Sequence, residues 1–368
     1  MTLACDFVTL SPMPRKSARL SPKNRKRKTK KLKARYRKIA YAMQLSAVFL
    51  ISTIFLGGYL VYKYLNMNFA AAYSGNTFYA DERLTPSVAY IVVDSFEGDT
   101  PEISRLEYII YDKNNKKVLK YVLPVKTIVD VPGDFGEATL SKIFLVASLN
   151  NDNPLDAGIQ IVSNVLFRTF GFGVDYYIVT NETLSTAFDE YLNEGKYGEF
   201  VSLNNILEMR QVMKTNISVK KFYELGNFIK GIPSDRVFSR EITQGYLNNM
   251  SIIDDEIKDT SFESIVSQER YSIAVLNGTE YEGLAVFGSR VVDNVGGRVV
   301  AVNNSDVLYE NSYVISGDPS CYTAGYMADI FGISNIMSKE EAFDFSDNEL
   351  DRADLVIILG LDTATRLY

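Results

Sequence analysis

The sequence predicts an α/β protein of the α+β kind, built from one transmembrane helix, a mixed α/β domain and a smaller C-terminal unit of order β-α-β-β-α-β. Three observations lead there. Residues 39–62 run without a charge, residues 86–250 alternate short apolar runs with helical spacings, and residues 270–362 repeat that alternation in a regular order.

The chain opens on a basic tail, residues 1–38. Between Arg15 and Lys38 stand 14 Lys or Arg and no acid. The formal net charge of the whole chain is −6, yet residues 39–368 hold 25 basic and 44 acidic residues, a net −19. A basic arm on an acidic body points to two compartments, or to an arm that binds an anionic surface. The uncharged run that follows, IAYAMQLSAVFLISTIFLGGYLVY, extends about 36 Å as a helix, enough to cross a hydrocarbon core of ~30 Å. Tyr41, Tyr59 and Tyr62 sit near its ends, where amphipathic rings favour the interface. The charge excess before the run places the N-terminus in the cytoplasm and the body outside, as a single-pass protein of the cell membrane. The length of the run favours an uncleaved anchor, although AAAYSG at 70–75 offers the small residues of a cleavage site. Between residue 8 and the span the tail has one aromatic, Tyr36, and no folded reader beside it. Anionic lipid headgroups are therefore its expected partner, and nucleic acid is not.

Residues 63–85 read as a stalk. In the mixed domain, residues 88–93, 106–111, 117–123 and 175–179 read as strands, with a hairpin turn at Asp112-Lys113-Asn114-Asn115. Residues 140–149, 157–170, 183–192 and 219–229 have helical spacing. Residues 251–269, polar and acidic, read as a linker. In the C-terminal unit, strands fall at 271–276, 298–302, 312–315 and 354–359, with helices at 284–295 and 318–331 closed by glycines. That order is the one of a ferredoxin-like split unit.

Composition excludes some chemistry. There is no histidine, so a Ser-His-Asp or Cys-His mechanism within this chain is ruled out. The two cysteines, Cys5 and Cys321, would lie on opposite sides of the membrane and could not pair within one chain. No CxxC spacing offers a structural zinc site or a disulfide framework.

The C-terminal unit resembles the LytR C-terminal domain family, through Val275-Leu276-Asn277-Gly278-Thr279, Gly283-Leu284-Ala285 and the closing run from Ala353 to Gly360 followed by Asp362. The middle domain is similar to the LytR-CpsA-Psr (LCP) domain of bacterial cell-envelope proteins. Tyr121 to Thr127, then Val131-Pro132-Gly133, resembles its strand, Pro-Arg-Asp-Thr and downstream Pro-Gly. Ser141-Lys142-Ile143 is similar to its Lys-Ile-Asn, and Gly171 to Tyr177 to its Gly-Ile-x-Ile-Asp-Tyr-Tyr. The resemblance implies a membrane-anchored protein of cell-wall biogenesis and a transfer of glycan from a polyprenyl pyrophosphate carrier. It also departs at the residues that such chemistry uses. Val125-Lys126 stands at the Arg-Asp, Phe144 at the Asn, and residues 180–214 carry one arginine, Arg210, where the family has an arginine-rich stretch.

That transfer needs cations on the leaving pyrophosphate and a metal held by carboxylates. Lys126 and Lys142 are the pyrophosphate-binding candidates. Asp94 and Glu107 are the candidate ligands for Mg2+, a cofactor expected only if transfer is retained. Against this, scattered acids are usually solvated surface, and Lys142 fits a surface lysine. Asn277, Gly278 and Thr279 could form a small anion nest or simply turn the chain. Three readings stay open: a non-catalytic binding or assembly module, a divergent glycopolymer phosphotransferase, and an unrelated structural membrane scaffold. Polyprenyl-linked glycan, peptidoglycan and envelope proteins are the partners the resemblance implies.

Overall fold

A helix of good formers with no proline inside it covers the end of the basic tail and the whole uncharged run as α1 (Pro22–Leu65). Its segment Lys30–Leu65 is long and apolar enough to cross a membrane, and none of its apolar window is buried. The computed structural model describes residues 22–70, 84–96, 100–132, 135–149, 152–194, 209, 212–248, 250–261, 263–343, 345 and 348–368. The rest of the stalk, residues 71–83, and the single arginine Arg210 lie outside the described residues.

From Leu65 onward the chain forms one compact unit. It starts inside the expected stalk, where β1 (Asn68–Ala70) joins the large sheet. β2 (Ser87–Val93) is buried at every position, which explains its unbroken apolar sequence. β3 (Ile103–Asp112) and β4 (Lys117–Leu123) follow as a hairpin, and β5 (Ile128–Val131) and β6 (Gly136–Thr139) form a small one of their own. After α2 (Ile143–Ser148) and α3 (Pro154–Phe170) come β7 (Tyr176–Asn181), α4 (Glu182–Glu194) and β8 (Met213–Ser218). α5 (Val219–Lys230) and β9 (Val237–Glu241) complete the sheet, whose order is β1-β8-β7-β2-β3-β4-β9. Its strands β2 and β7 run parallel, as do β4 and β9, and the other neighbours are antiparallel.

Strand alternation gives this sheet two different faces. Ala89, Ile91, Leu106, Tyr108, Tyr121 and Val179 point to the face covered by α3, where Phe170 lies 4.8 Å from Tyr108 and 4.9 Å from Tyr121, ring to ring. Asn153 caps α3, accepting from the Asp156 amide, and Pro154 occupies its first turn. Phe144 of α2 is fully buried against Gly158 of α3, where a Cβ would come within 2.2 Å of its ring. The other face carries Val88, Tyr90, Arg105, Glu107, Ile109, Tyr111, Val118 and Lys120, and is only partly covered, by α4 and α5.

Residues 251–269 correct the linker reading. They fold as α7 (Ser251–Ser261) and α8 (Ser264–Glu269), after the short α6 (Gln244–Asn248). On α7 Ile253 and Ile257, one helical turn apart, are fully buried, and on α8 Val266 is nearly so; these buried apolar residues outweigh a polar composition.

The C-terminal strands are β10 (Ser272–Asn277), β11 (Arg298–Asn304), β12 (Tyr313–Ser316), β13 (Asn335–Ser338) and β14 (Leu355–Leu359). Between them lie α9 (Leu284–Asn294), α10 (Tyr322–Phe331) and α11 (Glu349–Arg352), and α12 (Leu361–Leu367) ends the chain. The expected helices and strands are present, but their pairing differs from a ferredoxin-like split unit. The sheet order is β11-β10-β14-β12-β13, and β10 pairs directly and in parallel with β11, so no strand splits the β10-α9-β11 crossover. The additional strand β13 takes the parallel place beside β12, which leaves β14 to run antiparallel to it.

The two sequence-defined domains share one core. Phe167 of α3 meets Phe287 of α9 at 5.2 Å and Phe331 of α10 at 6.3 Å. α3 ends at Gly171 in the left-handed region (φ +59), and its last carbonyls would be unsatisfied there. Arg290 of α9 donates to the Arg168 and Thr169 carbonyls at 3.1 and 2.7 Å, and Asn294 to those of Phe170 and Gly171 at 3.2 Å each. Arg290 also pairs with Asp254 of α7 at 2.6 Å.

Candidate functional site

The partly covered face of the large sheet holds a cavity of about 480 Å3. Strand register orders its wall. Val88, Ile109, Tyr111, Val118 and Val237 line one end, together with Ile229 from α5. Tyr90, Arg105, Glu107, Lys120 and Asp189 gather toward the other. The cavity is therefore apolar at one end and charged at the other.

The charged end is closed upon itself. Arg105 reaches Asp189 of α4 through both terminal nitrogens at 3.2 Å and lies 3.6 Å from Glu107. Lys120 lies 3.4 Å from the same Glu107 oxygen. Two cations thus face two acids. Arg105 also donates to the Ser185 hydroxyl at 2.9 Å and stacks 5.0 Å above the Tyr90 ring. The Tyr90 hydroxyl donates to Ser185 at 2.9 Å. Burial pushes the Tyr90 phenol up to about 12, against the opposing pull of Ser185 and Arg105, so it stays protonated at neutral pH.

Of the candidates named from the sequence, only Glu107 belongs to this cavity. It is buried and held by two cations. A hard divalent ion needs several oxygens that are free to turn toward it. Among the described residues no group of three Asp, Glu or Cys is placed to hold a metal. Asp94 is exposed and accepts from the amides of Ser95 (2.8 Å) and Glu102 (2.9 Å), closing the turn between β2 and β3. Lys126 is exposed in the turn after β4, and Lys142 forms an ion pair with Glu102; neither lines the cavity. Phe144 is core.

At Asn277-Gly278-Thr279 the amides already have acceptors. The Asn277 carboxamide oxygen accepts from the Thr279 amide (3.0 Å) and hydroxyl (2.8 Å), and the Gly278 amide donates to the Leu359 carbonyl at 2.9 Å. A Cβ on Gly278 would stand 2.8 Å from the Tyr309 ring and 3.2 Å from Ile358. These residues turn the chain and admit a close neighbour; their hydrogen bonds do not leave an anion nest.

The sequence reading passed over Arg105, Lys120, Asp189, Tyr90 and Ser185. One signal was available: Arg105 and Glu107 alternate with Leu106 and Tyr108 inside a strand-forming run, so two charges must share one face with Ile109 and Tyr111.

No protein-family profile matches this chain, and no curated protein does. Solved structures give faint likenesses. Protein gbs0355 of Streptococcus agalactiae is 12% identical, covers 46% of this chain and 80% of its own, and has a TM-score of 0.34. TagT of Bacillus subtilis is 13% identical over 52% of this chain and 99% of its own, with a TM-score of 0.33. TagT bound to LIIa-WTA is 13% identical over 51% of this chain and 94% of its own, with a TM-score of 0.34. Likenesses of this size leave the ligand and activity of the chain to be argued from its own residues.

Proposed function

We propose that this chain is a membrane-anchored bacterial cell-envelope protein, LCP-like in its middle and LytR-like at its C-terminus, that serves cell-wall biogenesis as a non-catalytic binding or assembly module. One observation carries the non-catalytic part. Both cations lining the cavity, Arg105 and Lys120, are paired with acids that line it too. A leaving pyrophosphate needs uncompensated cations where its charge develops. The sequence supports the rest: the motifs quoted above, the uncharged run and the basic tail that orients it. On this reading the tail meets anionic headgroups inside the cell, and the body meets polyprenyl-linked glycan, peptidoglycan or envelope proteins outside.

The second reading, a divergent glycopolymer phosphotransferase, has the shape of the cavity in its favour: an apolar channel with charged groups at one end. Titration of a polyprenyl-pyrophosphate glycan into the full chain in detergent, with and without magnesium, separates the two. The module reading expects the same affinity in both conditions and no effect of Lys126→Ala or Lys142→Ala. Tight binding that requires magnesium and weakens in either variant overturns it in favour of a transferase.

A further inference from the structure

Strand register places one set of residues together at one end of the large sheet. Asn68 pairs with Ser218, Val88 with Tyr176, Ser87 with Ile110, Asp112 with Lys117 and Val118 with Val237. The start of β1, the β3–β4 hairpin and the start of β9 therefore share an end with the start of α5. α5 crosses it: Lys221 sits 5.9 Å from the Tyr176 ring, Glu224 bonds Lys113 at 2.8 Å, and Phe228 meets Tyr111 at 6.4 Å. Arg236 donates to the Asn115 carbonyl at 3.3 Å.

This end is basic in a body whose overall charge is strongly negative. Glu224 is shared by Lys113 and Lys221; burial opposes its ionisation, but the two lysines outweigh that and hold its carboxyl below the usual range. Lys116, Lys117, Lys220, Lys230 and Arg236 remain without an ion pair among the described residues, and the exposed acids beside them among those residues are Asp235 and the already shared Glu224. Exposed Tyr223 lies on the same stretch of α5. At the opposite end of the sheet, by contrast, stand Asp94, Glu102 and Glu182.

The chain itself says where the basic end lies along its course. Asn66 and Met67 alone separate the last residue of α1, Leu65, from β1, and the Met67 carbonyl accepts from the first amide of α5 at 3.1 Å. Three steps of 3.8 Å reach at most about 11 Å. The chain thus enters the large sheet at this end, three residues after Leu65.

We propose that this end of the body is a docking face for anionic phospholipid headgroups on the outer side of the membrane. The proposal rests on the membrane-anchored reading. Unpaired lysines near an anionic surface are attracted across roughly a Debye length, ~8 Å at physiological salt. Tyrosine at such a face suits the headgroup level. Docking fixes which end of the cavity faces the lipid: the apolar end lined by Val88, Tyr111, Val118 and Val237.

The test is amide hydrogen exchange on the full chain in nanodiscs of phosphatidylcholine alone or mixed with phosphatidylglycerol. Exchange in residues 112–117 and 219–231 should slow by about tenfold in the anionic discs. Residues 100–105 should not change. The combined Lys116→Glu, Lys220→Glu, Lys230→Glu and Arg236→Glu variant, all exposed positions, should lose the difference, as should high salt. Equal exchange of the basic end in both discs overturns the docking face while leaving the anchor intact. A chain that fails to float with either disc removes the anchored reading, and this inference with it.

Discussion

Residue by residue, this protein uses hydrogen-bonding side chains as brackets more than as chemistry. Asn277 and Gly278 were legible as a turn; there the Thr279 amide donates to the Asn277 carboxamide and the Gly278 amide to the Leu359 carbonyl of β14. Ser272 and Asp354 form a similar bracket between the starts of β10 and β14. The Asp354 carboxylate accepts from the Ser272 hydroxyl at 2.6 Å and its amide at 2.9 Å, and the Ser272 hydroxyl accepts from the Asp354 amide at 3.0 Å. The hydroxyl and then the amide hold the Asp354 carboxyl below the usual carboxylate value. A depressed folded pKa contributes stability that is present above the unfolded value, ~3.9, and lost as pH falls through the folded one. Thermal midpoints of wild type and Asp354→Ala measured from pH 7 to pH 2 should therefore differ above pH ~4 and draw together below it. A gap that stays constant to pH 2 would show that the bracket does not act through its charge.

Elements tell where sequence reading succeeds and where it stops. β2 was legible as an unbroken apolar run, β3, β4, α3 and α5 by their apolar patterning, and Gly171 and Gly332 mark helix ends that the structure keeps in the left-handed region. β9 was not legible, since Val237 and Phe238 are exposed on an edge strand and carry no burial period. α7 was hidden by its acids, because two isoleucines suffice to seat it. The helix end that joins the two sequence-defined domains was invisible for another reason: the partners of its carbonyls, Arg290 and Asn294, come from more than a hundred residues away. Removing them should be costly. Arg290→Met keeps the aliphatic stem but strands two carbonyls and Asp254, and should lower unfolding free energy by ~2–4 kcal/mol in urea titrations. The wild-type body should unfold in one transition, as a shared core requires. Two separated transitions, with Arg290→Met moving only one, would mean that the halves fold independently.

For the whole molecule, charge placement carries more of the proposed function than the fold does. The mixed α+β architecture and a helix long and apolar enough to cross a membrane were readable from the sequence. The cavity was not, because its charged end is assembled from β3, β4 and α4, and only Glu107 had been singled out. The cations of that end are compensated from within, and Glu107 is the residue that tests this. The most direct measurement is titration of inorganic pyrophosphate into the full chain and into Glu107→Gln, with magnesium present and absent. Compensation predicts no saturable binding to the wild type in either condition. It also predicts a new magnesium-independent site in Glu107→Gln, where Lys120 is released and Arg105 keeps only Asp189, with affinity raised at least tenfold. Tight, magnesium-dependent binding to the wild type that disappears in Glu107→Gln would contradict the account, and would make Glu107 a metal ligand of a working transferase.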